Sequence, residues 1–316
     1  MEKQDTSPNI QHELQAFRGQ IDALDDKIIA LLKERIGIVG KVGEYKRRHF
    51  PGQCPIRAGR EADLVRRIAK EFEGSAMLPA SAAAIWRTLI AASIMHEAPL
   101  PVSVYCADAN QDFYWLAREY FGLFAPTSKQ PHVKRVIGDV MDGKAAVGIV
   151  PALHSHDSSY WWTNLATRQE NQPKIFACLP FIYHGAPGRD AARCLAIAKV
   201  QPEETGDDRS IFVIEADQHI SQHKLQTAFA SAGLEAEWIS VATLSAHTRH
   251  HLVEVKGFFD AHHPALQRLQ AAFANPAISI SFLGAYANPL ILKAAHPHSE
   301  NALATAGLRQ QKPSSL

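Results

Sequence analysis

Cysteine is scarce in this chain, and its few cysteines lie far apart. The 316 residues contain four of them, and none forms a Cys-x-x-Cys pair: Cys54, Cys106, Cys178 and Cys194. This pattern argues against a disulfide framework and a zinc motif, and it fits a reducing compartment. The sixteen histidines form no recognised metal motif, since a metal site needs convergent ligands. We therefore expect no metal and no cofactor.

Charge of one sign and long apolar runs are also missing. The formal net charge is +1, so no global field favours nucleic acid or a membrane surface as a partner. No apolar run reaches membrane-spanning length, and the first residues contain no signal-peptide core. The length allows two or three domains. The sequence predicts a cytoplasmic globular protein that binds neither nucleic acid nor membrane.

Proline is absent from Glu13–Lys46, which keeps a helical apolar period throughout. About 33 residues make a rod of roughly 50 Å. This is longer than one small core can cover, so we expect the rod to pack against a partner. Arg35 and Lys46 share one helical face with Val39 and Val42. Two cations bordering an apolar stripe indicate a pocket for an anionic organic ligand.

Arg18 lies on the same predicted rod but away from this pocket. It is roughly 25 Å before Arg35 along the helix axis and about a quarter turn off the shared face. One pocket of one chain cannot reach both arginines. If Arg18 is functional, it serves the pocket of a second copy, which predicts a homodimer.

Two shorter helices are predicted after the rod. One opens at Arg57 and runs to about Phe72, and the next spans about Ala80–His96. Ser93 and Glu97 are four residues apart near the end of this third helix, so they share one of its faces. The first hundred residues are therefore expected to form three helices that carry polar residues at fixed places.

Residues 11–98 resemble the all-helical chorismate mutase family along their whole length. The shared frame consists of residues at fixed spacing on the three helices: Arg18-x3-Asp22-x2-Asp25, Leu32-x2-Arg35, Val42-Gly43-x2-Lys46, Arg60-Glu61 and Ser93-x3-Glu97. The resemblance implies rearrangement of the dicarboxylate chorismate to prephenate by an intertwined homodimer. A single charge on an amphipathic helix is usually a solvated position, but the joint spacing over three helices favours a site.

The resemblance also implies a role for each pocket residue. Arg35 holds one carboxylate, and the partner's Arg18 holds the other. The planar guanidinium fork of arginine suits a carboxylate. Lys46 contacts a carboxylate and the ether oxygen, and Glu61 accepts from the ring hydroxyl. Arg60 orders the pocket wall, Ser93 lines the pocket, and Glu97 faces the ether oxygen. Glu97 departs from many relatives, which have glutamine there. The loop before Arg60 has Arg57 and Ala58 where an acidic residue is common.

Beyond a proline-rich linker at 98–101 the pattern changes to short β-rich runs and helices, typical of an α/β fold. A helix is predicted over Asp112–Phe121. Strands are predicted over Val102–Cys106, Val133–Gly138, Ala146–Val150, Lys174–His184 and Cys194–Val200.

Residues 210–292 have the strand-helix-strand-strand-helix-strand order of the ferredoxin-like plan. The six predicted elements are Ser210–Glu215, Ser221–Ala232, Ala236–Val241, His250–Gly257, Pro264–Phe273 and Ala277–Leu283. This plan hosts many functions and names none. Segments 253–257 and 282–286 resemble the ACT regulatory domain attached to prephenate dehydratase.

The order mutase, dehydratase, ACT is that of the bifunctional enzymes leading toward phenylalanine, so residues 102–208 are expected to derive from the dehydratase. Its functional motifs are replaced here by Ala107-Asp108-Ala109-Asn110-Gln111, Pro151-Ala152-Leu153-His154-Ser155 and Arg209-Ser210-Ile211. Roughly eighty residues, which form the second lobe of the dehydratase family, have no counterpart in this chain. Because dehydration needs a proton donor in a closed cleft, the sequence predicts an inactive extension. A divergent but working dehydratase is one alternative, and a ligand-sensing or protein-binding module is another.

The predicted organisation thus has five parts. They are a tail (1–10), an all-α chorismate mutase of three helices (11–98), a degenerate dehydratase-like α/β region (102–208), an α+β ACT-like region (209–293) and a polar tail (294–316).

Overall fold

The structure is a computed structural model that describes residues 8–52, 54–107, 111–153, 160–167, 171–188, 191–245, 247–260, 262–273 and 278–292. It begins with three helices: α1 (Pro8–His49), α2 (Ala58–Glu71) and α3 (Pro79–Glu97). All three were predicted. The first helix begins at Pro8, so residues 8–10 of the predicted tail are helical; proline is tolerated there because the first turn needs no N–H donor. The predicted tail at 294–316 lies outside the described residues.

Only the last third of α1 packs on the rest of the chain, through contacts with α3. Its earlier apolar residues are 36% to 64% exposed, and they form a stripe that we call the α1 stripe: Ile10, Leu14, Phe17, Ile21, Leu24, Ile28, Ile29, Leu31 and Leu32. A helix of this kind is normally stabilised by burying its apolar face. None of the described helices combines the length and the apolar character needed to cross a bilayer.

The rest of the described chain is built on one nine-stranded sheet, in the order β2-β1-β3-β6-β4-β10-β7-β9-β8. The pairs β1–β2, β1–β3 and β4–β10 are parallel, and the other neighbours are antiparallel. The strands are β1 (Val102–Tyr105), β2 (Thr127–Gln130), β3 (Val147–Pro151), β4 (Lys174–Leu179), β6 (Cys194–Ala198), β7 (Asp208–Asp217), β8 (Ala236–Thr243), β9 (Thr248–Lys256) and β10 (Ile278–Ala287).

Helices and a small second sheet complete this part. A parallel pair is formed by β5 (Ile182–His184) and β11 (Leu290–Leu292). The helices are α4 (Asp112–Phe121), α5 (Val133–Met141), α6 (Gln222–Ser231) and α7 (Pro264–Phe273), and a short 3₁₀ helix spans Trp161–Leu165. From β7 to β10 the chain follows the predicted strand-helix-strand-strand-helix-strand order.

The sheet is continuous across the predicted boundary at residue 208, because β10 pairs with β4 on one side and β7 on the other. Gly284 lies at this junction with φ +142°, and a Cβ there would be 2.1 Å from the carbonyl oxygen of Ile175. Only glycine combines this backbone angle with such a close approach. The two predicted C-terminal regions therefore share one sheet.

One predicted strand was wrong, one was divided, and two strands were missed. The predicted strand Lys174–His184 is two strands, β4 and β5, which belong to different sheets. Residues 133–138 belong to helix α5, whose buried residues Val133, Val136, Ile137 and Val140 follow the i, i+3, i+4, i+7 spacing of a helix. Their β-branched side chains favoured a strand in the prediction. The missed strand β2 is short and polar and lies at the sheet edge, and the missed strand β11 has three residues.

A single hydrophobic cluster joins α2 and α3 to the sheet. It contains Val65 of α2, Ile90 of α3, Val104 of β1, Phe121 of α4 and Leu179 of β4. The linker itself takes part, since Leu100 is 1% exposed. The helices and the α/β region therefore share core contacts across the linker.

Candidate active site

Two long cationic side chains of α1 converge on one face of α3. The guanidinium Nη1 of Arg35 donates to Ser93 Oγ at 2.6 Å, and the Lys46 ammonium lies 2.7 Å from Glu97 Oε2. The two cations are about 16 Å apart along the axis of α1, whereas their partners are only about 6 Å apart along α3. Each cation therefore has a partner of its own on the same face of α3. The structure brings together four of the seven predicted site residues here.

The Lys46–Glu97 pair faces a cavity of about 710 Å³ between the helices and the α/β region. Its walls include Phe50 after α1, Ala145 before β3, and Lys199 after β6. Arg47 helps to hold the helix end, because its Nη1 donates to the carbonyl oxygen of Glu97 at 3.0 Å. The Lys46–Glu97 ion pair, which the sequence analysis did not predict, is thus partly buried at the wall of this cavity.

Glu61 is buried in the first turn of α2, with a side chain that is 7% exposed. One carboxylate oxygen accepts the backbone N–H of Arg57 at 3.0 Å, and the other accepts Arg87 Nη2 at 2.7 Å. Both oxygens therefore have protein donors, although each keeps a further lone pair. The predicted role of Glu61 toward a substrate hydroxyl stays a prediction.

Cys54 is a half-buried neighbour of this site that the sequence analysis did not select. Burial raises the pKa of its thiol; the Glu61 carboxylate raises this pKa further, and the Lys46 ammonium lowers it. One thiol therefore lies within electrostatic range of two predicted site residues on different helices. No sequence signal marked it, because a lone cysteine carries no spacing pattern.

Arg60 is exposed, and its backbone contacts the α/β region. Its N–H points at Glu203 Oε2 at 3.5 Å, and Glu203 also pairs with Arg57. Gly59 permits this approach, since a Cβ there would be 2.6 Å from the Cβ of Glu203. The first turn of α2 is therefore covered by a residue far away in sequence.

Arg18 lies on the exposed part of α1, seventeen positions before Arg35, and is not part of the cluster around Ser93 and Glu97. Within one chain the structure does not bring it to the other predicted site residues. This is the arrangement that the helical spacing predicted.

Arg87 is the second residue that the sequence analysis missed. It is the only ionised residue between Pro79 and Met95, in a run that is otherwise mostly apolar. A lone charge in such a run is rarely buried without a partner. That signal could have indicated a buried ion pair, but the partner, 26 residues away, could not be read from sequence.

The replaced dehydratase motifs are only partly described. Residues 108–110, 154 and 155 lie outside the described residues. Arg209 Nε donates to Asn288 Oδ1 at 3.3 Å, and Ser210 Oγ donates to the carbonyl oxygen of Gly257 at 2.8 Å. Ser210 is fully buried and also accepts the N–H of Phe259. These two positions make contacts that hold strands and loops together.

Comparison with known proteins gives one family match and several similar proteins. Residues 17–98 match the family Chorismate mutase type II. The bifunctional chorismate mutase/prephenate dehydratase of Aquifex aeolicus (strain VF5) is 28% identical over 140 residues, which are 44% of this chain and 38% of that protein. The enzyme of the same name from Pseudomonas aeruginosa is 26% identical over 152 residues, 47% of this chain and 41% of that protein.

Among solved structures, a prephenate dehydratase from Arthrobacter aurescens in complex with L-Phe has a TM-score of 0.45 and 16% identity, covering 66% of this chain and 97% of that one. The chain spans about two fifths of the length of the two curated relatives above. Residues 17–98 of this chain therefore form a chorismate mutase type II domain.

Proposed function

We propose that this protein is a homodimeric cytoplasmic chorismate mutase that converts chorismate to prephenate in aromatic amino acid biosynthesis. Catalysis lies in residues 11–98, and residues 102–208 and 209–293 are dehydratase-derived and ACT-like extensions. The observation that carries the proposal is the convergence of Arg35 and Lys46 on Ser93 and Glu97. It supports a pocket for a small dianion at the place where the family motifs lie.

The chemistry of the rearrangement explains why cations and hydrogen-bonding groups are enough for catalysis. The rearrangement is concerted and forms no covalent enzyme intermediate, so the protein acts by holding the reactive conformer and stabilising charge on the ether oxygen. In the proposal Arg35 and the partner's Arg18 bind the carboxylates, and Lys46 donates to a carboxylate and the ether oxygen. Glu61 accepts the ring hydroxyl, Arg60 orders the wall, and Ser93 lines the pocket.

Glu97 determines the pH dependence in this scheme. The breaking ether bond leaves negative character on oxygen, which needs donors. A carboxylate donates only when protonated, whereas an amide donates at any pH. We expect Glu97→Gln to flatten the pH profile of kcat/KM and to keep or raise the rate at about pH 7 to 8, because the amide does not titrate there. Steady-state rates of the wild type and of Glu97→Gln across pH 5 to 9 measure this effect.

A matched control is Glu44→Gln, the same change at an exposed position of α1 whose carboxylate pairs with Arg48. It should leave the wild-type pH profile in place. If Glu97→Gln has the wild-type pH dependence as well, then Glu97 does not face the ether oxygen and its assignment here is wrong.

The extension is proposed to have no dehydratase activity, because Arg209 and Ser210 are engaged in structural contacts and the family motifs are replaced. We expect purified protein to convert chorismate quantitatively to prephenate and to stop there at neutral pH. Chromatographic mass balance of chorismate, prephenate and phenylpyruvate tests the mutase proposal and the inactive extension together. Phenylpyruvate above the acid-catalysed background would instead support the bifunctional activity for which the two curated relatives are named.

The remaining alternative makes the C-terminal part a ligand sensor or protein-binding module that controls the mutase. Titration of the same assay with phenylalanine distinguishes it. The ACT resemblance implies two effector turns, near Ile220-Ser221-Gln222-His223 and Ser240-Val241-Ala242-Thr243, and both depart from the ACT pattern, so we expect no strong inhibition. Saturable inhibition would favour the sensor.

A further inference from the structure

A buried ion pair joins α2 to α3 behind the proposed pocket. The side chains of Glu61 and Arg87 are 7% and 5% exposed, and Arg87 Nη2 lies 2.7 Å from Glu61 Oε2. A carboxylate buried to this degree needs a charged or hydrogen-bonding partner, because leaving it unpaired is costly. The orientation of the Glu61 carboxylate is therefore set by Arg87 on one oxygen and by the backbone N–H of Arg57 on the other.

Arg87 in turn is held by an aromatic ring of the α/β region. Its guanidinium carbon lies 4.1 Å from the centroid of the Tyr120 ring, and Tyr120 on α4 is 6% exposed. Burial raises the pKa of Tyr120 to about 12, so the ring is neutral at physiological pH. A desolvated guanidinium over a tyrosine face is among the stronger cation–π contacts. Carboxylate, guanidinium and ring thus form a line from α2 through α3 to α4.

The α/β region also holds α2 directly. Arg66, five residues after Glu61, donates to Thr205 Oγ1 at 2.9 Å and to the carbonyl oxygens of Asp207 and Asn288 at 3.0 and 3.1 Å. Glu203 contacts the residues that open the helix. The turn that carries Glu61 is therefore braced on both sides by the part of the chain to which the mutase chemistry assigns no role.

We propose that Arg87 and Tyr120 are positioning residues of the mutase: Tyr120 holds Arg87, and Arg87 holds the Glu61 carboxylate in the orientation that accepts the substrate hydroxyl. This rests on the proposed function, which assigns Glu61 to that hydroxyl. It gives the α/β region a part in substrate binding that is independent of dehydratase chemistry. Neither residue touches the substrate.

The test is Tyr120→Leu in the full chain, with kcat and KM for chorismate measured separately. The hydroxyl contact is equally present in the ground and transition states, so a misplaced Glu61 mainly raises KM. We expect KM to rise about tenfold and kcat to stay within about twofold, in line with the loss of one desolvated cation–π contact. A merely structural role for Tyr120 would lower the active fraction, which reduces kcat at unchanged KM. Tyr120→Phe keeps the ring over Arg87 but loses the hydroxyl that also interacts with Arg87, so its KM should lie between those of the wild type and Tyr120→Leu.

Two controls isolate the line of contacts. Tyr114→Leu makes the same change on the same helix, where the ring stacks on Arg118 rather than on Arg87, and should leave KM unchanged. In a Glu61→Gln background, Tyr120→Leu should add little to the KM already raised by the first change, because the two act through one contact. The double-mutant cycle therefore shows whether Tyr120 works through Glu61.

Equal KM effects of Tyr120→Leu in both backgrounds, or an unchanged KM in a folded variant, overturn the proposal. If Tyr120→Leu does not fold, Arg87→Lys takes its place: it keeps the charge but loses the planar fork and the stacking, so KM should again rise. An unchanged KM for Arg87→Lys overturns the proposal equally. If the wild-type protein forms no prephenate, the proposed function itself is wrong. This result differs from those above, which concern the KM of a protein that is active.

Discussion

Arg18→Ala and Arg35→Ala chains are each expected to lose about 100- to 1000-fold in kcat/KM, because each removes a charge-assisted carboxylate contact. Heterodimers of the two chains should regain activity. In a twofold-symmetric dimer one pocket combines the intact Arg35 of one chain with the intact Arg18 of the other, and the second pocket lacks both. Purified heterodimers should therefore show about half the wild-type activity per dimer.

Coexpression of the two chains with different affinity tags, followed by purification over both tags, gives the heterodimer for this assay. The control is two differently tagged Arg18→Ala chains purified in the same way, which should stay inactive. Verified heterodimers as inactive as their parents would rule out a shared pocket. The single-chain geometry, in which Arg18 is not part of the cluster around Ser93, motivates the experiment.

Leu24→Asp is expected to dissociate the dimer and to abolish mutase activity. Leu24 is 57% exposed in the single chain and lies in the middle of the α1 stripe. Burying a leucine contributes about 1.5 to 3 kcal/mol, and placing an unpaired carboxylate there adds a desolvation cost. Symmetry doubles both effects. Sedimentation equilibrium should show a smaller mass than for wild type, and activity should fall at least about 100-fold because the partner's Arg18 is lost.

Lys33→Asp is the matched control, since it introduces the same carboxylate at an exposed position roughly 180° around α1 from Leu24. It should keep the wild-type mass and activity. A Leu24→Asp protein that stays dimeric and active would show that the α1 stripe is not the interface, and it would remove the physical basis for the role given to Arg18.

The helices could be predicted because their signals are local and repeated. The α1 segment keeps the apolar period over many turns, and Pro51 soon after it cannot continue a helix. In α5, four β-branched residues within nine positions fit a strand as well as a short helix, and only packing on the sheet decided between them. In β2, the polar residues carry no apolar alternation, so its edge position had to come from the fold.

Sequence alone determined which side chains of α1 and of α3 share a face, because helical spacing fixes this: Arg35 and Lys46 on one helix, Ser93 and Glu97 on the other. Their assignment to a site came from the family resemblance and stays a prediction. Tertiary structure alone decided what stands behind that site. The contacts of Glu61 with Arg87, of Arg87 with Tyr120 and of α2 with Glu203 link positions 26 to 143 residues apart. No periodicity connects such positions, since they meet only when the helices and the sheet bury a common core.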